Sequence, residues 1–441
     1  MRRMFRKCGI LLFWVFLWYG LCLGVDNRIL LASPLETARA LAVLLGEGSF
    51  YATVGVSLLR IGAGFLLGLA AGLCLAACSR RFPLAEELLS PAVGLAKAVP
   101  VASFVVLMLV WWGSSFLAVG ICFLVVAPHI YISTLEGLKS TDKKLLEMAE
   151  VFRLARRDRF FYIYRPGLKP FWRGSMKVTL GMCWKSGVAA EVMGIPDHSI
   201  GEQLYLSKVY LDTGGIFAWT VVIILLSFLF EKMVLGLLER FLGWEPSCRG
   251  QKPRDGGREG KALELSAVTK GYQGRQVLQA VSAVYEPGGT YLLTEPSGSG
   301  KTTLLRILAG LTPPDRGSLS ASPLCSMVFQ EDRLCEEYSG LKNVELVTGD
   351  RAAAAEALGQ LLEAEALERP CSELSGGMKR RVALVRALAA DSDLLLLDEP
   401  FTGMDALTRR RAEEYIQTNR KGRTLVMADH REGSARNPGA E

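Results

Sequence analysis

The sequence predicts a chain of two parts, an all-α polytopic membrane region followed by an α/β domain. Half of the residues are hydrophobic and the mean hydropathy is +0.26, but the apolar residues concentrate before residue 245. From Ala262 onward, short apolar strands alternate with helical segments, as in an α/β domain, and the apolar runs predict strands at 289–294, 324–329, 393–398 and 423–428. Residues 245–260 are rich in proline, glycine and charge, which predicts a flexible linker. The predicted domains are therefore 1–244 and 261–441 on either side of that linker.

Six apolar stretches are long enough to cross a bilayer, which takes about 20 residues in a helix. They lie near residues 8–25, 52–78, 96–112, 115–135, 174–194 and 216–238. Basic residues precede the first stretch, follow the second and crowd the segment between the fourth and fifth. By the positive-inside rule, we expect both ends of the chain in the cytoplasm. The first stretch is too long for a signal-peptide core and no small-residue cleavage site follows, so we expect an uncleaved helix.

Charge and cysteine usage argue against other classes of protein. The net charge is +7, but many basic residues flank apolar runs instead of interleaving with aromatic residues. This pattern gives no indication of a nucleic-acid partner. The ten cysteines are scattered and contain no Cys-x-x-Cys pair. We therefore expect neither a zinc site nor a disulfide framework.

A glycine-rich loop follows the predicted strand 289–294 and opens a helix. The loop and the start of the helix read Pro296-Ser297-Gly298-Ser299-Gly300-Lys301-Thr302-Thr303. This is the context of a P-loop, in which backbone N–H groups and the helix N-terminus attract phosphate oxygens. We expect Lys301 to reach the β- and γ-phosphates of ATP and the Thr302 hydroxyl to bind Mg²⁺. Asp398 ends a later strand and completes the expected site.

The order of three motifs resembles the nucleotide-binding domain of ABC transporters. The P-loop is followed by Leu374-Ser375-Gly376-Gly377-Met378, and then by Leu394 to Pro400, which contains Asp398 and Glu399. The resemblance covers residues 261–433 and implies an ABC-type P-loop fold. It implies that Ser375, Gly376 and Gly377 face the γ-phosphate bound to a second subunit, so the working unit is a homodimer.

The same resemblance assigns the catalytic and nucleotide-binding residues. Tyr272 matches the aromatic residue that stacks on adenine, and Asp405 matches the D-loop aspartate. Gln330 matches the glutamine that senses Mg²⁺ and the attacking water. Asp398 belongs to the Mg²⁺ shell, and Glu399 polarises the water. The expected catalytic residues are thus Glu399, Gln330 and Lys301, and the expected Mg²⁺ residues are Thr302, Gln330 and Asp398.

Two positions depart from the family pattern. The first glycine of the P-loop is replaced by Glu295, whose side chain could strain the turn and whose charge repels phosphate. The switch histidine is not in register, because alignment leaves either Ala428 or Asp429 at its position. His430 follows and could reach in from a neighbouring position. Together these departures predict a weakened ATPase.

The segment between the fourth and fifth predicted spans is similar to the EAA loop of bacterial ABC importer permeases. The similarity rests on Glu147-Met148-Ala149 and on Ile163-Tyr164-Arg165-Pro166. Arg153 replaces the family's glycine and Arg165 its leucine. Glu147, Ala149 and Pro166 are therefore the expected coupling residues. The segment is basic, so we also expect it to face the acidic residues that follow Gln330.

The fifth predicted span and its continuation resemble permeases of sulfonate, nitrate, taurine and pyrimidine-precursor importers. The matching runs are Trp184 to Glu191 and Ile200 to Leu204. An ionisable residue within a span is costly and frequently functional, so Lys185 and Glu191 are candidates for the substrate path. The alternative is that Lys185 only bonds polar groups between helices.

The resemblances imply an ATP-driven importer in the bacterial cytoplasmic membrane, with permease and ATPase in one chain and the ATPase in the cytoplasm. They imply ATP and Mg²⁺ as cofactors, and a second copy, a solute-binding protein and the bilayer as partners. The expected solute is small and anionic or heterocyclic, of the sulfonate, nitrate, taurine or thiamine-precursor class. One alternative is an exporter half-transporter, although exporters lack an EAA loop. The other is a regulatory or degenerate ABC protein, which Glu295 and the missing histidine favour.

Overall fold

The computed structural model describes residues 2–25, 30–251, 262–296, 298–320 and 324–429. The chain divides into two compact units. The first consists of Met1–Ser140 and Gly167–Trp244, and the second of Thr141–Pro166 and Glu245–Glu441. The segment Thr141–Pro166, which the sequence-based domain prediction included in 1–244, therefore packs with the α/β unit. We call it the coupling segment.

The chain up to Trp244 is helical in the described residues. Its helices are α1 (Arg2–Val25), α2 (Pro34–Gly46), α3 (Gly48–Arg81), α4 (Pro83–Ala98), α5 (Val101–Trp112), α6 (Leu117–Lys139), α7 (Lys143–Val151), α8 (Arg156–Arg159), α9 (Arg165–Gly194), α10 (Ile200–Val209) and α11 (Thr213–Gly243). A π-helical turn, Phe160–Tyr164, joins α8 to α9. The predicted helical character of this region is confirmed.

Fewer helices than predicted have the length and composition of a membrane span. Within the described residues, α3, α6 and α11 qualify. α3 and α11 contain the predicted stretches 52–78 and 216–238, and α6 covers most of 115–135. The predicted span 96–112 is divided, because α4 and α5 meet at a bend of 103° beside Pro100. The described apolar part of α1, Leu12–Val25, is shorter than a full span. The predicted span 174–194 lies in α9, which is not apolar enough because it carries several lysines and arginines.

Three glycines at four-residue spacing bring α3 close to α6. A Cβ atom at Gly64 would lie 2.5 Å from the carbonyl oxygen of Val119, and one at Gly68 would lie 2.7 Å from Cβ of Val126. At Gly72 the corresponding distance to Cβ of Ile130 is 2.8 Å. Small residues at this spacing allow helix backbones to approach where lipid offers no hydrophobic driving force. This contact contributes to the core of the first unit, which also includes residues of α9 and α11.

The second unit contains an α/β domain that follows residues 245–251, which we call the connector. Its elements are β1 (Leu263–Tyr272), β2 (Arg275–Tyr285), β3 (Thr290–Leu293), α12 (Lys301–Leu308), β4 (Arg316–Leu319), β5 (Cys325–Val328), α13 (Gly340–Thr348), α14 (Arg351–Gly359), α15 (Ala364–Leu367), α16 (Gly376–Ala389), β6 (Leu394–Asp398), α17 (Ala406–Asn419) and β7 (Thr424–Ala428). In the described residues β2, β1 and β4 form an antiparallel sheet, and β3, β7, β6 and β5 form a parallel sheet in that order.

The parallel sheet determines where the functional motifs meet. Its strands coincide with the four strands predicted from apolar runs, and β5 and β6 are completely buried. Buried parallel strands are continuously apolar because both faces are covered. All the strands of a parallel sheet end at the same edge, which is where α/β proteins bind ligands. The P-loop, Gln330, Asp398 and Ala428 each follow or end one of these strands.

Candidate functional site

The P-loop curls between β3 and α12 on two glycines. Gly298 and Gly300 have φ values of +84° and +95°, in the left-handed region that glycine adopts without strain. Lys301 begins α12 and is only 9% exposed. Its ammonium donates hydrogen bonds to the carbonyl oxygens of Glu295 and Pro296, the second at 3.4 Å. The predicted phosphate-binding residue Ser297 lies outside the described residues.

Glu295 does not strain the turn. It is exposed, and it does not belong to the described non-glycine residues with positive φ. The expected conformational cost of replacing glycine at this position is therefore absent from the described loop. The expected repulsion between its carboxylate and a phosphate stays a prediction.

Thr302 and Asp398 form a polar pair at the centre of the edge. Thr302 lies beside the carboxylate of Asp398, and Thr303 follows in the first turn of α12. Asp398 is 2% exposed, and burial raises the pKa of its carboxyl, although Thr302 opposes that effect. Its Oδ2 atom makes no hydrogen bond within the described residues. A buried carboxylate oxygen without a donor, beside a hydroxyl, fits the oxygen ligands that Mg²⁺ prefers.

Glu399 follows Asp398 in a strained conformation. Its φ is +48°, which is uncommon for a residue with a side chain and is often found at functional sites. Its N–H donates to the carbonyl oxygen of Ala428 at 2.9 Å. The Thr402 hydroxyl lies 3.4 Å from its Oε2 atom. The candidate catalytic glutamate is thus held by its backbone at the edge of the sheet.

The position expected for the switch histidine holds a methyl group. Ala428 ends β7, is completely buried, and pairs with Asp398 on one side and Leu293 on the other. The carboxylate of Asp429 accepts a hydrogen bond from Arg409 of α17 at 2.6 Å. Asp429 therefore points to α17. The other candidate, His430, lies outside the described residues.

Three other residues that were predicted to bind nucleotide lie at exposed ends of helices and strands. Ser375 caps α16, and its Oγ accepts from the N–H of Met378 at 3.4 Å. Asp405 caps α17, and hydrogen bonds from Thr408 lower the pKa of its carboxyl. Tyr272 ends β1 and is 45% exposed. Each side chain is accessible to a ligand or to a second chain.

The signature glycines and Gln330 are similarly placed. A Cβ atom at Gly377 would lie 2.7 Å from the carbonyl oxygen of Gly403, so that position has room only for glycine. Gly376 begins α16 and is exposed. Gln330 follows β5, and its side chain is exposed. The edge therefore gathers Lys301, Thr302, Gln330, Asp398 and Glu399, whereas the signature lies at the start of α16.

Arg380 was missed by the sequence analysis, although it connects these elements. It lies on α16 and is 2% exposed. Its guanidinium donates to the backbone carbonyls of Phe329 and Gln330 and to those of Asp398 and Glu399. A signal was present, because Arg380 precedes the apolar Leu384 by four residues and so lies on the buried face of the helix.

Glu147 is the centre of the contact between the coupling segment and the α/β domain. Its carboxylate accepts hydrogen bonds from Arg306 of α12 at 3.0 and 2.8 Å, one to each oxygen. Oε2 also accepts from Arg333 at 2.6 Å. The pKa of Glu147 is lowered, mainly by the hydrogen bond from Arg306. One carboxylate thus links α7 to the P-loop helix and to the loop after Gln330.

The two departures from the EAA pattern have structural explanations. Arg153 has φ of +49°, which explains why a glycine suits this position, and its guanidinium lies 3.4 Å from the carbonyl oxygen of Asp391. Arg165 is buried, donates to the Tyr338 hydroxyl at 3.2 Å and lies over the ring of Phe161. Both arginines therefore contribute to the same contact.

The other predicted coupling residues differ in burial. Ala149 is completely buried in the core that α7 shares with the α/β domain. Pro166 is half-buried in the first turn of α9. Both residues therefore contribute to the packing of the coupling segment.

Opposite charges face each other in this contact, but at its centre the signs are the reverse of those expected. There the coupling segment contributes the acid and the α/β domain contributes the arginines. The exposed pair between Lys144 and Glu331, at 2.6 Å, places a basic coupling residue against an acid after Gln330, as expected. The more buried contact uses an acid of the coupling segment, Glu147. Glu336 pairs instead with Lys379 of α16 at 2.9 Å. Counting charges along each segment could not assign these partners, because the helical register selects them.

The connector at 245–251 is not a free tether, in contrast to the predicted flexible linker. Cys248 is buried, and its N–H donates to Glu345 at 3.5 Å. Gln251 donates from its N–H to the carbonyl oxygen of Val347 at 3.1 Å and forms a β-bridge with Leu154. Backbone hydrogen bonds of this kind need no apolar sequence pattern, which is why composition did not reveal them. Residues 252–260 lie outside the described residues.

In the first unit, Glu191 and Lys185 occupy different environments. Glu191 of α9 is completely buried, and its Oε2 accepts from the Ser57 hydroxyl at 2.7 Å and from the N–H of Gly201 at 3.4 Å. Ser57 in turn accepts from the N–H of Ile200 at 2.9 Å. Lys185 is exposed. A role for either residue in a substrate path stays a prediction.

Comparison with known proteins gives two family matches. Residues 278–402 match the model of the ABC transporter family, and residues 64–242 match that of the binding-protein-dependent transport system inner membrane component. The chain is 44% identical to an aliphatic sulfonates import ATP-binding protein, SsuB 1 of Pseudomonas fluorescens, over 36% of this chain and 63% of that protein. It is 43% identical to SsuB 3 of Nocardia farcinica, over 38% of this chain and 71% of that protein.

The chain is also similar to a solved structure of an ABC transporter cassette. The dimeric ABC transporter cassette MJ0796 has 28% sequence identity and a TM-score of 0.36, and it aligns with 38% of this chain and 88% of its own. A TM-score at this level supports no conclusion beyond the sequence matches.

Proposed function

Because this chain belongs to the ABC transporter family, with a permease domain and an ATPase domain in one polypeptide, we propose that it couples ATP hydrolysis to the import of a small solute. The names of the sulfonate-import relatives support a sulfonate or a similar anion as that solute. Import takes place across the bacterial cytoplasmic membrane, with the ATPase domain in the cytoplasm.

The proposal rests mainly on the carboxylate of Glu147, which accepts hydrogen bonds from both Arg306 and Arg333. Glu147 belongs to the segment between two permease helices, α6 and α9. Arg306 belongs to the helix that the P-loop opens, and Arg333 follows Gln330 by three residues. A change at the nucleotide is therefore transmitted to the permease through charge-assisted hydrogen bonds, which are the stronger class.

Nucleotide binding uses the loop and helix at the end of β3. Backbone N–H groups around Gly298 and Gly300 and the N-terminus of α12 bind phosphate oxygens. Lys301 leaves its two loop carbonyls and binds the β- and γ-phosphates. Thr302 and Asp398 would hold Mg²⁺, which supplies charge neutralisation on the phosphates when bound. Gln330, which follows β5, would also contribute to holding Mg²⁺.

Hydrolysis uses Glu399 as the residue that accepts a proton from, or polarises, the attacking water. The methyl group of Ala428 offers no hydrogen-bond donor to the γ-phosphate, so we expect turnover to be slow. Ser375 and Gly376 of the signature are exposed, which supports use of the signature by a second copy of the chain. The working unit is accordingly a homodimer with two sites, and a separate solute-binding protein delivers the solute.

The test measures phosphate release and nucleotide binding with the full chain in proteoliposomes. Glu399→Gln is expected to lower the rate by about 100-fold or more while a fluorescent ATP analogue still binds. Lys301→Ala is expected to weaken binding itself. Equal turnover in the wild type and Glu399→Gln would refute the catalytic role, and absence of turnover in both would refute the ATPase.

Restoring the histidine tests the slow-turnover expectation. Ala428→His is expected to raise the hydrolysis rate with little change in nucleotide affinity, because the contact acts on the reacting phosphate. Ala389→His, in the last turn of α16, is the control for adding an imidazole elsewhere. An unchanged rate in Ala428→His would show that another group already makes this contact.

A further inference from the structure

Arg380 donates hydrogen bonds to five residues near the candidate site. Its acceptors are the carbonyl oxygens of Phe329 (2.6 Å), Gln330 (3.4 Å), Asp398 and Glu399 (2.6 Å) and the carboxylate of Asp332 (3.1 Å). Most of these are backbone atoms of the two loops that follow β5 and β6. One planar guanidinium therefore fixes the spacing between the loop that carries Gln330 and the loop that carries Glu399.

Arg380 also belongs to the signature helix. Ser375 caps α16, and Arg380 lies five residues later on the same helix. A helix moves as a rigid element, so a displacement of its N-terminus also displaces the Arg380 backbone. Glu399 has a left-handed φ of +48° that its surroundings must maintain, and Arg380 donates two hydrogen bonds to its carbonyl.

We infer that Arg380 is a positioning residue that connects the signature helix to Gln330 and Glu399 of the same chain. Contact of the signature with the nucleotide of the second copy is transmitted by Arg380 to the residues that act on the water in its own site. This inference rests on the proposed function. It assigns to one side chain the communication between the two ATP sites of the dimer.

Hydrogen exchange of the full chain in nanodiscs tests the positioning role without requiring turnover. Arg380→Met keeps the length and apolar stem of the side chain but removes every donor. Without nucleotide, we expect amides of residues 328–333 and 397–401 to exchange at least about tenfold faster than in the wild type. Arg380→Gln, which retains an amide donor, is expected to recover part of the protection.

Arg423 supplies the matched control. It is equally buried and donates to a comparable set of acceptors, namely Leu388, Ala390, Ser392, Asn419 and Arg420. It precedes β7 and therefore lies at the opposite edge of the sheet from Ala428. Arg423→Met is expected to loosen its own surroundings but not 328–333 or 397–401.

Kinetics give the second readout. We expect Arg380→Met to lower kcat by about 100-fold, to leave KM for ATP within about threefold, and to reduce the Hill coefficient towards 1. Equal exchange and equal kcat per folded molecule in Arg380→Met and Arg423→Met would overturn the positioning role. If the wild type hydrolyses no ATP, the proposed function fails, and the exchange result still decides whether Arg380 holds the two loops.

Discussion

Glu147 and Glu191 are both removed from full solvent exposure, but their partners differ in kind. Glu147, in the coupling segment, accepts hydrogen bonds from two guanidinium groups. Glu191, in the first unit, accepts from one hydroxyl and one backbone N–H, and its Oε1 atom makes no hydrogen bond within the described residues. The first carboxylate is held by charge, and the second by close packing. The two sites should therefore respond differently to the same substitution.

The largest effect is expected from removing the charge of Glu147. In Glu147→Gln, one oxygen that accepts from an arginine becomes an amide that donates, so two donors face each other. The free energy that holds α7 against the α/β domain is expected to fall by on the order of 2 kcal/mol, as for hydrogen bonds to charged groups. Hydrogen exchange of α7 should rise, and ATP hydrolysis should lose its response to solute and binding protein.

Lys144→Ala is the control for that variant. It removes the exposed pair with Glu331 from the same helix, and exposed pairs contribute about 0–1 kcal/mol. If Lys144→Ala loosened α7 as much as Glu147→Gln, the charge of Glu147 would not be what holds the segment.

The second effect is steric and concerns the surroundings of Glu191. A Cβ atom at Gly201 would lie 2.2 Å from the carbonyl carbon of Glu191. Gly201→Ala must therefore separate α10 from α9, at a cost of about 1–3 kcal/mol. The thermal midpoint of the purified chain is the measurement. Gly214→Ala, where the nearest atom is 3.5 Å away, should leave it unchanged.

Glu191→Gln sharpens the comparison because its effect should be smaller. The amide oxygen can accept from Ser57 and Gly201, and the new NH₂ group replaces an oxygen that had no donor. We expect a change below about 1 kcal/mol in thermal stability. A loss equal to that of Glu147→Gln would mean that the charge of Glu191 is needed.

The pH dependence of the coupling segment gives the fourth prediction. The pKa of Glu147 is lower folded than unfolded, so its contribution to stability is complete above the unfolded pKa of about 4.3. The contribution is lost as the pH falls through the lower folded value. Hydrogen exchange of α7, corrected for intrinsic rates, should therefore rise below about pH 4 in the wild type. In Glu147→Gln that rise should be absent, whereas Lys144→Ala should retain it.

Sequence alone predicted the parts of the molecule that depend on local motifs. The placement of Lys301, Asp398 and Glu399 at the same edge of the sheet could be predicted, because a P-loop and an apolar strand ending in acid are short contiguous patterns. Ser57 could not be identified as the partner of Glu191, because 134 residues separate them in the chain. β1, β2 and β4 were missed because their exposed residues interrupt the apolar runs. Arg380 was missed because its partners are backbone carbonyls, which any sequence supplies.

The packed connector has a consequence for assembly. The coupling segment and the α/β domain of one chain are joined covalently, and Gln251 forms hydrogen bonds or a bridge with both of them. Docking within one chain is therefore intramolecular, with an effective concentration in the millimolar range that short tethers give. Because the permease domain and the ATPase domain belong to one chain, they are produced in a fixed ratio of one to one. For this ATPase domain to bind the coupling segment of another permease, the coupling segment of its own chain would first have to be displaced.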